Sequence, residues 1–499
     1  MTAWRHILCF VLLLTVCLTA VADDDIRVRN CRRGTPRPQH MVLTRGASGG
    51  QPRQPGGDFY HGQRHQLTVL VAFSDRVFVG DEAATLQQWD KILNTQNLTE
   101  APFKGSVHDY FLAQSYGDFD VTFDLQYVML SSNAAKYASN DVDDENSQYL
   151  VEDIMEVLQT RHIDWNLYDW NGDGFVNQLL IVYAGHGMND SSDPDLIWPH
   201  QWWMSEHLKD GKQGVYCDPI PVMAGSKKYL VDCYCALAEL TRKNDYGSFG
   251  TICHEYSHCF GFPDFYNGSS SFVGDWDLMD KGNYNGDGYC PPGYSAHERW
   301  LMGWLTPTEL TERVTITDMP QLAEQPVAYL VRNDGWQNEY YFIENRQQTG
   351  WDASIPGAGV VVFHIDFDPS VWTSTEVMAN SSSCKRYSIF PANNKTSIYQ
   401  SAGWSYPYQD NNLLTNESKP AASLNHENTD DSKLMNKPLT NIAVTAGLAS
   451  FDFMGGDPSG IKEMQVSDSK IQGCYDLQGR RITTPKKGVY IVNGHKVLF

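Results

Sequence analysis

The sequence predicts an α+β multidomain chain: a mixed helix-and-strand domain, then a β-sandwich-like domain, then a small all-β C-terminal module. Three observations lead there. Strand-like alternation and helix-like periodicity interleave over residues 63–306. Over 307–456 the apolar runs become short, strand-like and punctuated by Gly, Pro and Asn. Residues 457–499 end in two apolar runs around Asn493-Gly494, a hairpin signal. With 499 residues and 41 % hydrophobic content, the chain can bury cores of this extent.

In chain order, Arg5 and His6 precede an apolar run from Ile7 to Leu18 and the small-residue stretch Ala20-Val21-Ala22, the form of a secretory signal peptide over 1–22. That run falls well short of the ~20 residues that span a bilayer, and no later run is longer, so no transmembrane segment is expected. Residues 23–62 are dense in Gly, Pro, Arg and Gln, the composition of a leader, propeptide or linker. Alternation at Leu67, Val69, Val71 and Phe73, repeated at Val121, Phe123, Leu125, Tyr127 and Met129, predicts two strands. Leu150, Ile154, Val157 and Leu158 share one helical face, with Asn146 or Ser147 as N-cap. The unbroken run Leu179-Leu180-Ile181-Val182-Tyr183 reads as a central strand buried on both faces. In the β region the strand-like runs are 340–343, 359–363 and 450–453.

A net charge of -22 excludes a basic surface for nucleic acid. Two of the eleven cysteines lie in the signal peptide, which leaves an odd number and no paired CxxC spacing. One or two bridges beside buried thiols are expected, Cys217 with Cys233 or Cys235 being one pairing.

The chemistry is concentrated in His254-Glu255-Tyr256-Ser257-His258. Residues four apart share a helical face, so His254 and His258 can offer two imidazole nitrogens to one tetrahedral Zn2+, with Glu255 beside them. Ile252, Tyr256, Cys259 and Phe260 fall on the opposite, core-facing side. Gly261 suits a left-handed helix stop, and the redirected chain would bring Asp264 back as a third ligand. Zinc with three protein ligands keeps a position for water, and Glu255 as general base would take the proton of that water during attack on a peptide carbonyl. Downstream, Met279 lies where a tight turn would set an apolar floor under the metal, and Tyr284 is a candidate donor to the oxyanion. Asp169, Asn171, Asp173 and Asn177 carry the alternating oxygen spacing of a calcium loop with Gly174 at the bend, although no Glu closes it, so Ca2+ is a second expected cofactor.

The string from His254 to Asp264, with Met279 behind it, resembles the M6 peptidases, the immune inhibitor A-like family of metzincin-type enzymes. The resemblance extends to Ser106–Phe111, Asp169–Gly174, Ile197–His200, Pro292–Ala296, Glu344–Gln347 and Val362–Asp366. It implies a metzincin-like catalytic domain over 63–306 in a secreted, leader-bearing endopeptidase acting on proteins or peptides. Asp264 stands where metzincins in general use histidine. The segment from Gly473 to Ile491 looks like the C-terminal sorting domains of Bacteroidetes proteins exported by the type IX system, which implies export machinery as a partner and release or attachment at the cell surface. A different class of function, a catalytically silent binding or adhesion protein on a peptidase scaffold, would be favoured by loss of Glu255 or either histidine. All three are present.

Overall fold

The computed structural model describes residues 57–455, apart from 139–145, 191–192, 213–214, 242, 248, 269, 373–378 and 382, together with 474–475, 482, 489–492 and 495–498. The expected signal peptide, most of the leader and most of the C-terminal module lie outside the described residues.

The first unit is built on a five-stranded sheet of β1 (Gly62–Ala72), β2 (Phe119–Met129), β4 (Leu179–His186), β8 (Cys233–Leu240) and β5 (His200–Trp203), ordered β2-β1-β4-β8-β5. All neighbours are parallel except β5, which runs antiparallel to β8 at one edge. A smaller sheet joins β3 (Phe175–Val176), β6 (Ile220–Ala224) and β7 (Lys227–Val231).

Helices cover both faces of the larger sheet. Leu67, Val69 and Val71 of β1 face a core that includes Leu150, Ile154 and Leu158 of the helix α3 (Ser147–Leu158). Leu70 and Ala72 face the opposite core, shared with α1 (Glu82–Asn94), α2 (Val107–Gln114) and α4 (Phe249–Cys259). Hence the expected alternation in β1 becomes burial of every residue from Gln66 to Ala72, because a central parallel strand has no solvent face. The helix expected near 150–158 is present, with Asn146 at its N-cap position but making no side-chain cap bond. Two other helices do have complete capping boxes, Ser106 with Asp109 at α2 and Ser295 with Glu298 at α5 (Ala296–Leu301).

The β-rich region adds a second five-stranded sheet of β9 (Thr308–Glu309), β11 (Tyr329–Arg332), β12 (Glu339–Arg346), β13 (Gly359–Asp366) and β14 (Tyr387–Ile389), and a three-stranded sheet of β10 (Val314–Met319), β15 (Leu439–Thr445) and β16 (Leu448–Phe453). Strand alternation divides the five-stranded sheet between two cores. Tyr341, Ile343, Val360 and Val362 pack towards Ile442 and Phe451 of the three-stranded sheet. Tyr340, Phe342, Val361, Phe363 and Ile365 instead join the core that contains α4. The same core therefore runs across residue 306. Near the C-terminus, β17 (Cys474–Tyr475), β18 (Val489–Val492) and β19 (His495–Leu498) pair antiparallel, with Val492 opposite His495. No described helix is long and apolar enough to cross a membrane.

Where the two regions meet, Arg346 is buried with Glu344 and Asp352. Its Nε and one Nη donate to the Asp352 oxygens at 2.7 and 2.6 Å, and the same Nη donates to the Gly293 carbonyl at 3.0 Å. Glu344 accepts the Ala296 N–H at 2.6 Å, which fixes the start of α5. Removing one partner of such a network strands the remaining charges in a dry core. Arg346→Met is expected to lower unfolding free energy by about 3–5 kcal/mol, read from urea midpoints against the parent chain.

Candidate metal centre

The helix α4 carries the histidine motif, and its first turn is set by close packing. A Cβ on Gly250 would come within 1.9 Å of the Asn283 carbonyl oxygen, so glycine lets the turn Gly282–Tyr284 sit directly on the helix. Ile252, Tyr256 and Cys259 enter the core, as their spacing predicts. At the other end Gly261 adopts φ +97, a left-handed conformation that glycine takes without steric cost. Phe260 and Gly261 donate back to the Ser257 and His258 carbonyls, and the chain reverses.

That reversal brings Asp264 against both imidazoles. Its Oδ1 is 3.2 Å from His254 Nε2 and 3.3 Å from His258 Nε2. One ligand atom from each of the three residues falls within 4.8 Å of the other two, the sole such group of His, Cys, Asp and Glu among the described residues. His254, Glu255 and His258 are 0 % exposed and Asp264 1 %. Two backbone carbonyls decide which nitrogen of each ring faces inward. His254 Nδ1 donates to the Leu278 carbonyl and His258 Nδ1 to the Phe262 carbonyl, both at 2.7 Å, leaving each Nε2 as the nitrogen that faces Asp264.

Two polar atoms at this point, His258 Nε2 and Asp264 Oδ2, are buried without a hydrogen-bond partner among the described residues. A divalent cation would satisfy both, and a donor set of two imidazoles and one carboxylate suits zinc. Burial works against ionisation of Asp264, yet its contacts with His258 and His254 outweigh burial and hold the carboxyl at about 2. The group is an anion, as a ligand must be.

Met279 is buried in the turn that follows Asp277. The peptide group between Leu278 and Met279 is held at both ends: its C=O accepts from His254, and its N–H donates to Asp277 Oδ1 at 2.8 Å. The Met279 carbonyl then accepts the Phe265 N–H at 2.9 Å, tying this turn to the residue after Asp264. Tyr284 lies on the turn packed against the start of α4.

The remaining expectations fare differently. In the proposed calcium loop, Asp169 Oδ2 accepts the Gly174 N–H and lies 3.5 Å from Lys227 Nζ. Asp173 accepts from Asn171 and Phe175, and Asn177 Oδ1 accepts the Trp170 N–H. These contacts lie within the loop, with an ammonium group beside Asp169, and the calcium reading gains no support. Of the cysteines, Cys217, Cys233, Cys235, Cys253, Cys259, Cys290 and Cys384 are free thiols, so the pairing of Cys217 with Cys233 or Cys235 is not made. Cys233 points inward from β8 towards α4, where its Sγ lies 3.8 Å from Cys259 Sγ.

Sequence reasoning missed Asp277 as an anchor. The available signal was its place two residues before Met279, the spacing at which an Asp side chain accepts a backbone N–H.

Residues 65–302, from within β1 to just past α5, match the family described as Immune inhibitor A peptidase M6, catalytic domain. This segment is a metallopeptidase domain. Immune inhibitor A of Bacillus thuringiensis subsp. alesti is 24 % identical over 256 residues, covering 45 % of this chain and 34 % of the relative. Pre-pro-metalloprotease PrtV of Vibrio cholerae serotype O1 (strain M66-2) is 24 % identical over 219 residues, covering 38 % of this chain and 23 % of the relative. The chain thus spans 34 % or less of the length of these curated relatives. The peptidase domain's match ends just before the β-rich region.

Burial raises the Asp277 carboxyl to about 7, against the opposing pull of the Met279 N–H and the Tyr387 hydroxyl. An unfolded Asp titrates near ~3.9, so between pH ~4 and 7 the folded state holds more protons than the unfolded one. Its contribution to stability is full below pH ~4 and is lost as pH rises to 7. Asp277→Asn should flatten that part of the stability profile, measured as denaturant midpoints from pH 4 to 7.

Proposed function

We propose that this chain is a secreted zinc-dependent endopeptidase that hydrolyses peptide bonds of proteins, with His254, His258 and Asp264 as zinc ligands and Glu255 as general base. The observation that carries the reading is the convergence of the two Nε2 atoms and the Asp264 carboxylate on one dry point. The M6 match over the segment that holds them supports it.

When bound, zinc supplies the Lewis acidity that polarises a peptide carbonyl and acidifies water. The protein's own contributions are positional. His254 and His258 are oriented by the Leu278 and Phe262 carbonyls, so neither ring must reorient to bind. Glu255, next to His254 and enclosed from solvent, takes a proton from the attacking water and later returns it to the leaving amine. Enclosure strengthens each of these electrostatic contacts by lowering the local dielectric. Tyr284, on the turn against α4, is our candidate for a hydrogen bond to the developing oxyanion. We assign residues 1–22 to export and the C-terminal segment to sorting, which puts the enzyme outside the cell or on its surface.

The test is casein hydrolysis by the mature chain. Glu255→Ala is expected to lower the rate by about 10²–10⁴-fold while zinc content, read by atomic absorption, stays at the parent level. His258→Ala should lose zinc and activity together. Full activity in Glu255→Ala, or activity that survives complete removal of the metal, would sink the assignment.

A further inference from the structure

The metal ligands belong to the peptidase domain, but one of the groups that holds them comes from the β-rich region. Tyr387 begins β14 and pairs with Ile365 of β13, so its backbone is part of the five-stranded sheet. Its side chain leaves that sheet on the face towards α4 and is fully buried. The ring stacks flat on Phe265, the residue after Asp264, with centroids 3.6 Å apart and planes 7° from parallel. Its hydroxyl lies 2.8 Å from Asp277 Oδ2 and 2.8 Å from Ser295 Oγ.

We propose that Tyr387 is a positioning residue of the metal centre, holding Asp264 through Phe265 and His254 through Asp277. This rests on the metal reading given above. The path on the His254 side is continuous. Tyr387 fixes the Asp277 carboxyl, whose other oxygen accepts the Met279 N–H. That N–H and the Leu278 C=O belong to one planar peptide group, so orienting one end orients the other. The Leu278 C=O is the acceptor for His254 Nδ1.

The path on the Asp264 side is equally direct. Besides the ring stack, Asn380 Nδ2 donates to both the Phe265 carbonyl and the Tyr387 carbonyl at 2.8 Å. Asn380 Oδ1 accepts the Tyr387 N–H at 2.9 Å. Phe265 N–H in turn reaches the Met279 carbonyl, which closes a ring of contacts through Tyr387, Asp277, Met279 and Phe265. A loop residue such as Asp264 has no helix to hold it, and this ring supplies the constraint. It also gives the β-rich region a role in the chemistry: the peptidase domain without β14 would have the ligands but lack the contact that orients two of them.

The experiment compares the full chain with Tyr387→Phe, which keeps the ring and deletes the hydroxyl, and with Tyr341→Phe. Tyr341 lies on the opposite face of the same sheet and donates to the Ser423 carbonyl at 2.7 Å, so its loss imitates the deletion of a buried hydroxyl without touching the ring of contacts. Two readouts are used, the rate of zinc release to a colorimetric chelator and the visible absorption bands of the cobalt-loaded protein. Tyr387→Phe should release zinc roughly tenfold faster and shift the cobalt bands, because losing an outer-shell partner loosens ligand geometry. Tyr341→Phe should match the parent in both. Parent-like release and bands in Tyr387→Phe would overturn the proposal, as would equal acceleration in Tyr341→Phe. A parent chain that binds neither zinc nor cobalt would overturn the metal reading itself, and this inference with it.

Discussion

Two imidazoles and a carboxylate can meet at one point in a dry core only if every other polar atom around them is already held. In water the rings would rotate freely and either nitrogen could face the metal. Here each Nδ1 is committed to a backbone carbonyl, Leu278 for His254 and Phe262 for His258, so each Nε2 has one direction left. Both carbonyls come from segments that follow α4 in the chain, and they stay in place only because those segments are anchored. Asp277 holds the Met279 N–H, while Asp280 accepts the N–H groups of Phe272, Val273 and Gly274. Buried carboxylates are costly unless their lone pairs are used, and these use theirs to set loop geometry.

The second constraint is the shared sheet. The strands β12 and β13 have no solvent face, since alternate residues serve two cores. One core closes the β-rich region on itself. The other is the core of the metal helix. A sheet committed on both sides transmits position from one unit to the other, which is why Tyr387 can reach Asp277 and Phe265 from a strand more than a hundred residues further along the chain. The Arg346 network lies at the same junction and fixes the approach of α5, so apolar packing and buried charge act on one boundary.

The motif helix, the left-handed Gly261 and the return of Asp264 were legible from residue spacing, because i to i+4 geometry and a glycine stop are local consequences of chain stereochemistry. The strands at 67–73 and 179–183 and the helix at 150–158 were legible for the same reason: apolar period reports which residues face inward. Yet the period of β1 suggested one buried face where there are two. Gln66 and Thr68 look like solvent positions until helices arrive to cover them.

What sequence alone determined was therefore the local part, the helix with two imidazoles on one face and the turn that returns Asp264 to them. Only the tertiary structure decided which nitrogens face Asp264, that the cysteines of β8 point to α4 rather than to Cys217, and that a tyrosine of the β-rich region packs on Phe265 and reaches Asp277. The reason is physical. Contacts within about four residues follow from backbone geometry, whereas Tyr387 on Phe265 and Cys233 beside Cys259 depend on how separate sheets and helices share one core, and no period in the sequence encodes that distance.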